Sequence, residues 1–465
     1  MTATQTTASA QAPAPSPSYS AETDPYLRGN FAPVADESSL LEHELEVEGE
    51  LPKDLNGLLL RNGPNPAGEV PAGHHWFIGD AMLHAIELRE GRARSYRNRW
   101  VRTQALEQVK GLAAAPISPH QPPIQGSGNV NVVQHGGRIL ALPEVGLPYE
   151  LDRELATRRQ YDFGGALRSS MTAHPKIDPV SGELLFFGYD FGPVHLRYHR
   201  ATKDGTLDRT VEISTPAPTM IHDFGVTQTR VVFMDLPVVF DLQLVAQGYR
   251  MPFRWDDDHQ ARLGVMPRDG GDADVRWIEI EPCYVYHPLN AYDDGPRIVM
   301  DVVRHERTFD ISRSGPEHTS APVLVRWTID PAAGTVRSQV ISERGQEFPR
   351  VDPRRETLPH RYGYAVETSI DERGGNLAFG NLLKHDLQRG TTEVHDIGPG
   401  RQASEGVFVP AGAGEDDGYV VAPVYDAARN ASDVLVLDAR NFSKKPLAIV
   451  HLPVRIPFGF HGNFV

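Results

Sequence analysis

Short runs of apolar and β-branched residues recur along the chain, and each is stopped by Gly, Pro, Asp or Asn. "GRILALPE", "GELLFFGYD", "TRVVFMDLP", "PRIVMDVVRH", "PVLVRWTID", "DVLVLDARN" and "LAIVHLPVRIP" are examples. Runs of about four to eight residues, rich in Val, Ile, Phe and Tyr, predict strands rather than helices. Helical periodicity is confined to "RTQALEQVKGLAA" and "LPVVFDLQLVAQG". Neither alternates with strands as a parallel α/β sheet requires. The pattern therefore predicts an all-β fold: a sandwich, a barrel or a propeller. No sequence repeat at a fixed period selects among the three. "MPRDGGDADVRW" and "PAGAGEDDGYV" read as exposed turns between strands.

Composition narrows the class. In 465 residues there are 42 Gly and 38 Pro, a turn-rich content that is still too low for a disordered chain. The segment from Met1 to Pro25, rich in Ala, Pro, Ser and Thr, reads as a disordered tail. No Pro/Ser-rich linker follows, so the chain from Tyr26 to Val465 is expected to form one domain. The start lacks the basic and apolar blocks of a secretory signal, and no run approaches the roughly 20 apolar residues of a membrane-spanning helix. A cytoplasmic protein is the expectation. Lys plus Arg number 46 against 61 Asp plus Glu, a net charge of −15, which argues against a nucleic-acid partner. A single cysteine, Cys283, excludes an intramolecular disulfide and thiolate metal clusters. Any metal must be held by His, Asp or Glu.

Of 19 histidines, four stand beside strand-like runs and turn formers: His174 in "TAHPKIDP", His222 in "MIHDFGVT", His287 in "YVYHPLNAY" and His461 in "FGFHGNFV". Wide gaps separate each from the next, the widest lying between His287 and His461. Such gaps suit ligands drawn from separate parts of a large β fold and exclude the i, i+4 helical zinc motif. His461 stands close to the terminal Val465, where chains ordinarily fray. Its ordered-looking surroundings make it a candidate metal ligand on which the fold closes. His74, His75 and His84 lie close in sequence but read as structural, as do His120, His135, His195, His199 and His259.

Ordered motifs over nearly the whole chain resemble the carotenoid cleavage oxygenase family. They include "LLLRNGPNP", "GHHWFIGDAMLHAIEL", "NVNVVQHGGRILALPEVGLPYELD", "TAHPKIDPVSGELLFFGY", "IHDFGVTQ", "YHPLNAYDD", "EFPRVDPR", "EGVFVP" and "FHGNF". The resemblance implies a seven-bladed β-propeller, capped over its iron face by a dome of loops and short helices. It implies one Fe(II) per chain held by His174, His222, His287 and His461. Three glutamates would orient the imidazoles: Glu144 on His222, Glu347 on His287 and Glu405 on His461, leaving His174 without an acidic partner. It also makes the stretch around His74, His75 and His84 part of the propeller core. Neutral imidazoles suit iron, and four of them leave up to two positions of an octahedral ion open. The implied reaction is oxidative cleavage of a conjugated carbon–carbon double bond, with both atoms of O2 ending in two carbonyl products. It needs no side-chain acid, base or nucleophile.

Two positions depart from the commonest family pattern. Val130 stands where many relatives carry Thr beside the O2 site, and Pro143 stands where hydroxystilbene-cleaving relatives carry Lys. Pro143 has no hydrogen-bond donor for a phenol oxygen, which favours a carotenoid or apocarotenoid over a hydroxystilbene or phenylpropenoid. A lipid-soluble substrate points to access from a membrane surface or micelle. "LPVVFDLQLVAQGYRMPF" is the nearest apolar patch, and it reads equally well as a buried connection over the propeller face. A non-oxidative relative is the less favoured enzyme reading. A silent binding scaffold is opposed by the intact set of four His and three Glu.

Overall fold

The computed structural model describes residues 24–70, 74–309, 320–370 and 377–465. Seven antiparallel sheets are arranged as the blades of a β-propeller, joined by a small two-stranded ribbon. Taken in chain order around the ring, the first blade is built on strands Gly57–Pro64, Ala81–Arg89 and Arg92–Trp100. The second runs from Asn131 to Gln160, the third from Lys176 to Ile213 and the fourth from Phe224 to Glu279. The fifth runs from Tyr284 to Ser342, the sixth from Gln346 to His395 and the seventh from Arg401 to His451. Each blade is a meander in which sequential strands pair, the simplest way for short strands separated by tight turns to satisfy their backbone groups.

The ring is closed twice. The N-terminal strand Glu46–Gly49 joins the outer edge of the seventh blade by pairing with Ala448–His451, and Ser38–Leu41 covers the outer edge of the first. The C-terminal strand Gly462–Phe464 becomes the innermost strand of the first blade, with Leu59 opposite Phe464 and Arg61 opposite Gly462. Two glycines permit this approach. A Cβ on Gly459 would stand 2.3 Å from the Asn62 carbonyl, and one on Gly462 would stand 2.2 Å from the Leu60 carbonyl. No other residue fits either place.

The core lies between blades, where alternate strand residues of adjacent sheets interlock. The two helical stretches emerge shorter than their periodicity predicts. Helix α1, Gln104–Lys110, starts at the Thr103 hydroxyl, which accepts from Leu106 N–H, and ends at Gly111 with φ 68°. In the second stretch the β-branched Val238 and Val239 pair as a strand with Phe253–Trp255, and only Leu242–Ala246, α2, is helical after the Asp241 cap. "PAGAGEDDGYV" connects the paired strands Val407–Pro410 and Gly418–Asp426, as a turn should. Residues 1–23 of the expected tail lie outside the described residues. Asp24 and Pro25 belong to the fold: Asp24 is buried and accepts from Tyr26 N–H at 2.9 Å. Among the described residues no helix is long and apolar enough to cross a membrane.

Several histidines read as structural are locked in the blades. His195 places its ring nitrogens 2.7 and 3.0 Å from the Asp190 and Thr219 carbonyls, and His259 meets Asp235 at 2.9 Å. His84 meets Tyr96 Oη at 2.9 Å, and His199 lies between Ser169 and Thr210. Burial pushes His84 and His199 down to about 3, and His385 down to about 4, from an ordinary 6.5. Each stays neutral in the folded chain and charges on unfolding, so between pH 6.5 and about 4 the unfolded state binds more protons. Thermal unfolding should therefore show a melting temperature falling by several degrees from about pH 7 to about pH 5. A flat profile over that interval would contradict the buried neutral state.

Candidate metal centre

Every blade contributes to one point on the propeller axis. Val130 precedes the inner strand of the second blade, His174 that of the third and His222 that of the fourth. His287 lies within the inner strand of the fifth, at a register irregularity between Val285 and Pro288 that re-aims its side chain. Glu347 is in the inner strand of the sixth, Glu405 precedes the strand Val407–Pro410 of the seventh, and His461 precedes the closing strand of the first.

His174, His222, His287 and His461 are all buried, and their candidate ligand atoms lie within 4.8 Å of one another. Ring centroids are 4.4 Å apart for His174 and His222, 4.6 Å for His174 and His461, and 4.8 Å for His287 and His461. The Nε2 atoms of His174 and His287 are buried and meet no hydrogen-bond partner. Lone pairs left this way are costly unless a cation takes them. Burial, and then the neighbouring rings, hold the His174 imidazole well below its ordinary value, and burial holds His461 down to about 3. Four converging imidazoles, two of them with orphaned inward nitrogens, form a donor set that fits a divalent transition metal.

The outward nitrogens face carboxylates. His287 Nδ1 lies 2.5 Å from Glu347 Oε2, and His461 Nδ1 lies 2.9 Å from Glu405 Oε1. His222 Nδ1 is 3.0 Å from Glu144 Oε2, close in distance but out of line for a hydrogen bond. These three contacts match the pairings that the family resemblance implies. Among the described residues the carboxylate beside His174 is Asp223, whose Oδ2 stands 3.5 Å from its Nδ1. That separation is too long for a hydrogen bond, and the Lys176 ammonium grips the same carboxylate at 2.9 and 3.0 Å.

Behind the glutamates is a set of residues the sequence reading did not single out. Tyr189 donates its hydroxyl to Glu144 Oε1 at 2.8 Å. Glu347 meets His305 Nε2 at 2.7 Å and accepts Phe348 N–H at 2.7 Å. The φ of Phe348 is +55°, left-handed for a bulky residue, and it turns that N–H back on the carboxylate. Glu405 accepts Gly462 N–H at 2.8 Å and lies 3.3 Å from Arg61 and 3.6 Å from Arg350. Although burial opposes ionisation, histidines hold Glu347, and Arg350 with His461 holds Glu405, below the usual carboxylate range. Asp223 adjoins a motif histidine and Arg61 and His305 stand in quoted strands, but only the folded ring brings them to the glutamates.

The centre opens into a cavity of about 690 Å³. Its wall includes Trp76, Phe77, Tyr286, Phe348, Phe379 and Phe460. Val130 and Pro143 both line it, and the Val130 carbonyl accepts His461 N–H at 3.2 Å. His74 and His75, expected in the propeller core, instead line this cavity from the loop ahead of Ala81–Arg89 and stand outside the four-histidine cluster. They sit there because Gly79 and Asp80 turn the segment over the ring, with Asp80 accepting Ala67 N–H at 3.0 Å.

A family model described as "Retinal pigment epithelial membrane protein" matches residues 31–465. A carotenoid cleavage oxygenase from Mycobacterium tuberculosis is 42% identical over 95% of this chain and 97% of its own length. The chain belongs to the carotenoid cleavage oxygenase family. The lignostilbene dioxygenase of Pseudomonas brassicacearum superposes with a TM-score of 0.86 at 29% identity, covering 95% of this chain and 98% of that one. A cobalt-substituted Synechocystis apocarotenoid oxygenase superposes with a TM-score of 0.83 at 28% identity, covering 93% and 97%. Fold and family thus agree with a dioxygenase built around a metal.

If His305 holds Glu347 in place, His305→Phe should weaken Co(II) binding by about 10- to 100-fold, and, by taking a partner from a buried carboxylate, should also lower the thermal stability of the apoprotein. Competition against a chelator measures it. Unchanged Co(II) affinity would remove His305 from the centre's support.

Proposed function

We propose that the chain is an Fe(II)-dependent dioxygenase that cleaves a conjugated double bond of a carotenoid or apocarotenoid into two carbonyl products. The observation that carries this reading is the convergence of four buried imidazoles, three of which line an aromatic-walled cavity. His174, His222, His287 and His461 would hold the iron, with Glu144, Glu347 and Glu405 fixing three of the rings. When bound, Fe(II) supplies the activation of dioxygen that no side chain can provide.

The chain's own part is placement. Neutral imidazoles leave the outer carboxylates as the local counter-charge, and the aromatic walls keep water from a hydrophobic alkene. Phe348, stacked at 5.6 Å on His287, and Phe460, preceding His461, would flank the reacting double bond. Val130 would add an apolar wall to the cavity beside His461. No cavity residue is assigned the role of general acid or base.

Pro143 supports the polyene over a hydroxystilbene, because it removes a donor from the wall next to Glu144. Leu242 and Val245 of α2 are 73% and 46% exposed, while Arg250, Met251 and Phe253 beyond the helix line the cavity. Contact of α2 with a membrane or micelle surface would deliver a lipid-soluble substrate at that rim.

Anaerobic Fe(II) reconstitution, then O2 and mass spectrometry of products, tests the reading with an apocarotenoid and a hydroxystilbene in parallel. Aldehydes from the polyene, each carrying one atom of 18O2, are expected. Products from the stilbene alone would keep the metal centre and replace the substrate. Pro143→Lys should raise hydroxystilbene turnover about tenfold by restoring one charged hydrogen bond. No gain would place recognition of that ring elsewhere.

A further inference from the structure

Besides the glutamates set on three of the rings, a buried ion pair reaches the fourth. The Lys176 ammonium crosses from the inner strand of the third blade to the segment leading into the fourth, where it stands 2.9 Å from Asp223 Oδ1 and 3.0 Å from Oδ2. Asp223 Oδ1 also accepts the N–H of its neighbour Phe224 at 2.6 Å. Both oxygens of this buried carboxylate are therefore taken, and His174 Nδ1 is left 3.5 Å from Oδ2. The carboxylates on the other rings stand closer to Nδ1: 3.0 Å at His222, 2.5 Å at His287 and 2.9 Å at His461.

The main chain on both sides of His174 is fixed. Thr172 N–H bonds to the Phe187 carbonyl at 2.8 Å, and the Ala173 carbonyl accepts from Asn131 Nδ2 at 2.8 Å. Lys176 pairs with Leu185, and Ile177 N–H bonds to the Glu356 carboxylate at 3.2 Å. The gap to Asp223 closes most readily through a turn of its carboxylate, which the ammonium on both oxygens opposes. With Nε2 of His174 turned inward and unpartnered, a bound ion would take that nitrogen and leave the proton on Nδ1. An imidazole that shares this proton with a carboxylate is the stronger donor. A carboxylate whose charge is met by an ammonium is the weaker partner.

We propose that Lys176 is a positioning residue that withholds Asp223 from His174 and so makes this ring the weakest donor of the four candidate ligands. The inference rests on the metal centre of the cleavage reading and deepens it. A weaker fourth donor leaves a bound ion more electron-poor, which favours the divalent over the trivalent state.

The test uses Co(II)-loaded wild type, Lys176→Met, Lys176→Arg and Asp223→Asn. Proton NMR resolves the imidazole N–H protons that the paramagnetic ion shifts out of the main spectrum, and chelator competition gives the affinity. Wild type should show one N–H that exchanges with water about tenfold faster than the other three. Lys176→Met should slow that proton and tighten Co(II) binding, each by about tenfold, and Lys176→Arg should keep both at their wild-type values. Asp223→Asn should leave the fast proton unmoved, because it has no hydrogen bond there to lose. Removing a positive charge would tighten the ion by itself, so tighter binding in Lys176→Met without a slower N–H would overturn the proposal. A lower melting temperature with both readouts unchanged would also overturn it and would make the pair a tie between blades. If Lys176→Met does not fold, Asp223→Asn decides: a fast proton that moves would mean that Asp223 already accepts from His174. A wild-type chain that takes up no Co(II) would overturn the metal centre itself, whereas uptake with four equally protected N–H protons would overturn this inference alone.

Discussion

Closure of the ring by the last strand is the constraint on which the centre depends. Asn62 N–H bonds to the His461 carbonyl at 2.9 Å, and Phe460 N–H bonds back to the Asn62 carbonyl at 3.0 Å. The backbone around His461 is thus pinned on both sides before its ring does anything. The N-terminal strand closes only the outer edge of the seventh blade, where pairing protects an edge but brings no side chain to the axis. The C-terminal strand closes the inside of the first, so the same hydrogen bonds that complete the sheet also deliver a candidate ligand. Metal binding and ring closure should therefore be energetically linked, since a ligand that binds only the closed state stabilises it.

The three glutamates are anchored by groups of different charge. A tyrosine hydroxyl holds Glu144, a histidine and a backbone N–H hold Glu347, and two arginines with a backbone N–H surround Glu405. A carboxylate shared with cations gives less electron density to its imidazole than one shared with a phenol. The four rings are consequently unequal donors. His174, whose neighbouring carboxylate Asp223 is neutralised by Lys176, is the least supported of the set. This asymmetry arises in the packing around the axis and leaves no trace in the spacing of the histidines.

The all-β character was legible from the short, turn-bounded apolar runs, but those runs could not choose among sandwich, barrel and propeller. The family motifs supplied the propeller. A positional repeat existed all the same: Val130, His174, His222, His287, Glu347, Glu405 and His461 each mark the inner side of successive blades. The widest gap, from His287 to His461, is three blades, with Glu347 and Glu405 filling the two intermediate places. The identity of the residue at that position changes from blade to blade, so no self-similarity of sequence records it. Asp223, His305 and Arg61 were equally hidden, because what they support is assembled only when the ring closes. His74 and His75 were misplaced into the core because a loop that lines a cavity carries the same aromatic content as a strand that fills one.

Division of labour between ring and dome explains why relatives with such different names share this architecture. The axis is over-determined: seven blades each fix one residue there, and a shift in any blade moves a candidate ligand or a residue packed around the candidate ligands. The dome is made of connections, the segments 66–70, 74–80, 122–129 and 242–253, which bond to one another, as Ser127 and Asn129 do to the Gly79 carbonyl. Changes there leave the blades intact and alter where an alkene can lie relative to the fixed centre. The position of the metal along the axis is common property of the ring. Selection among double bonds must then come from the loop side chains, and for this chain those include an aromatic row and a proline beside Glu144.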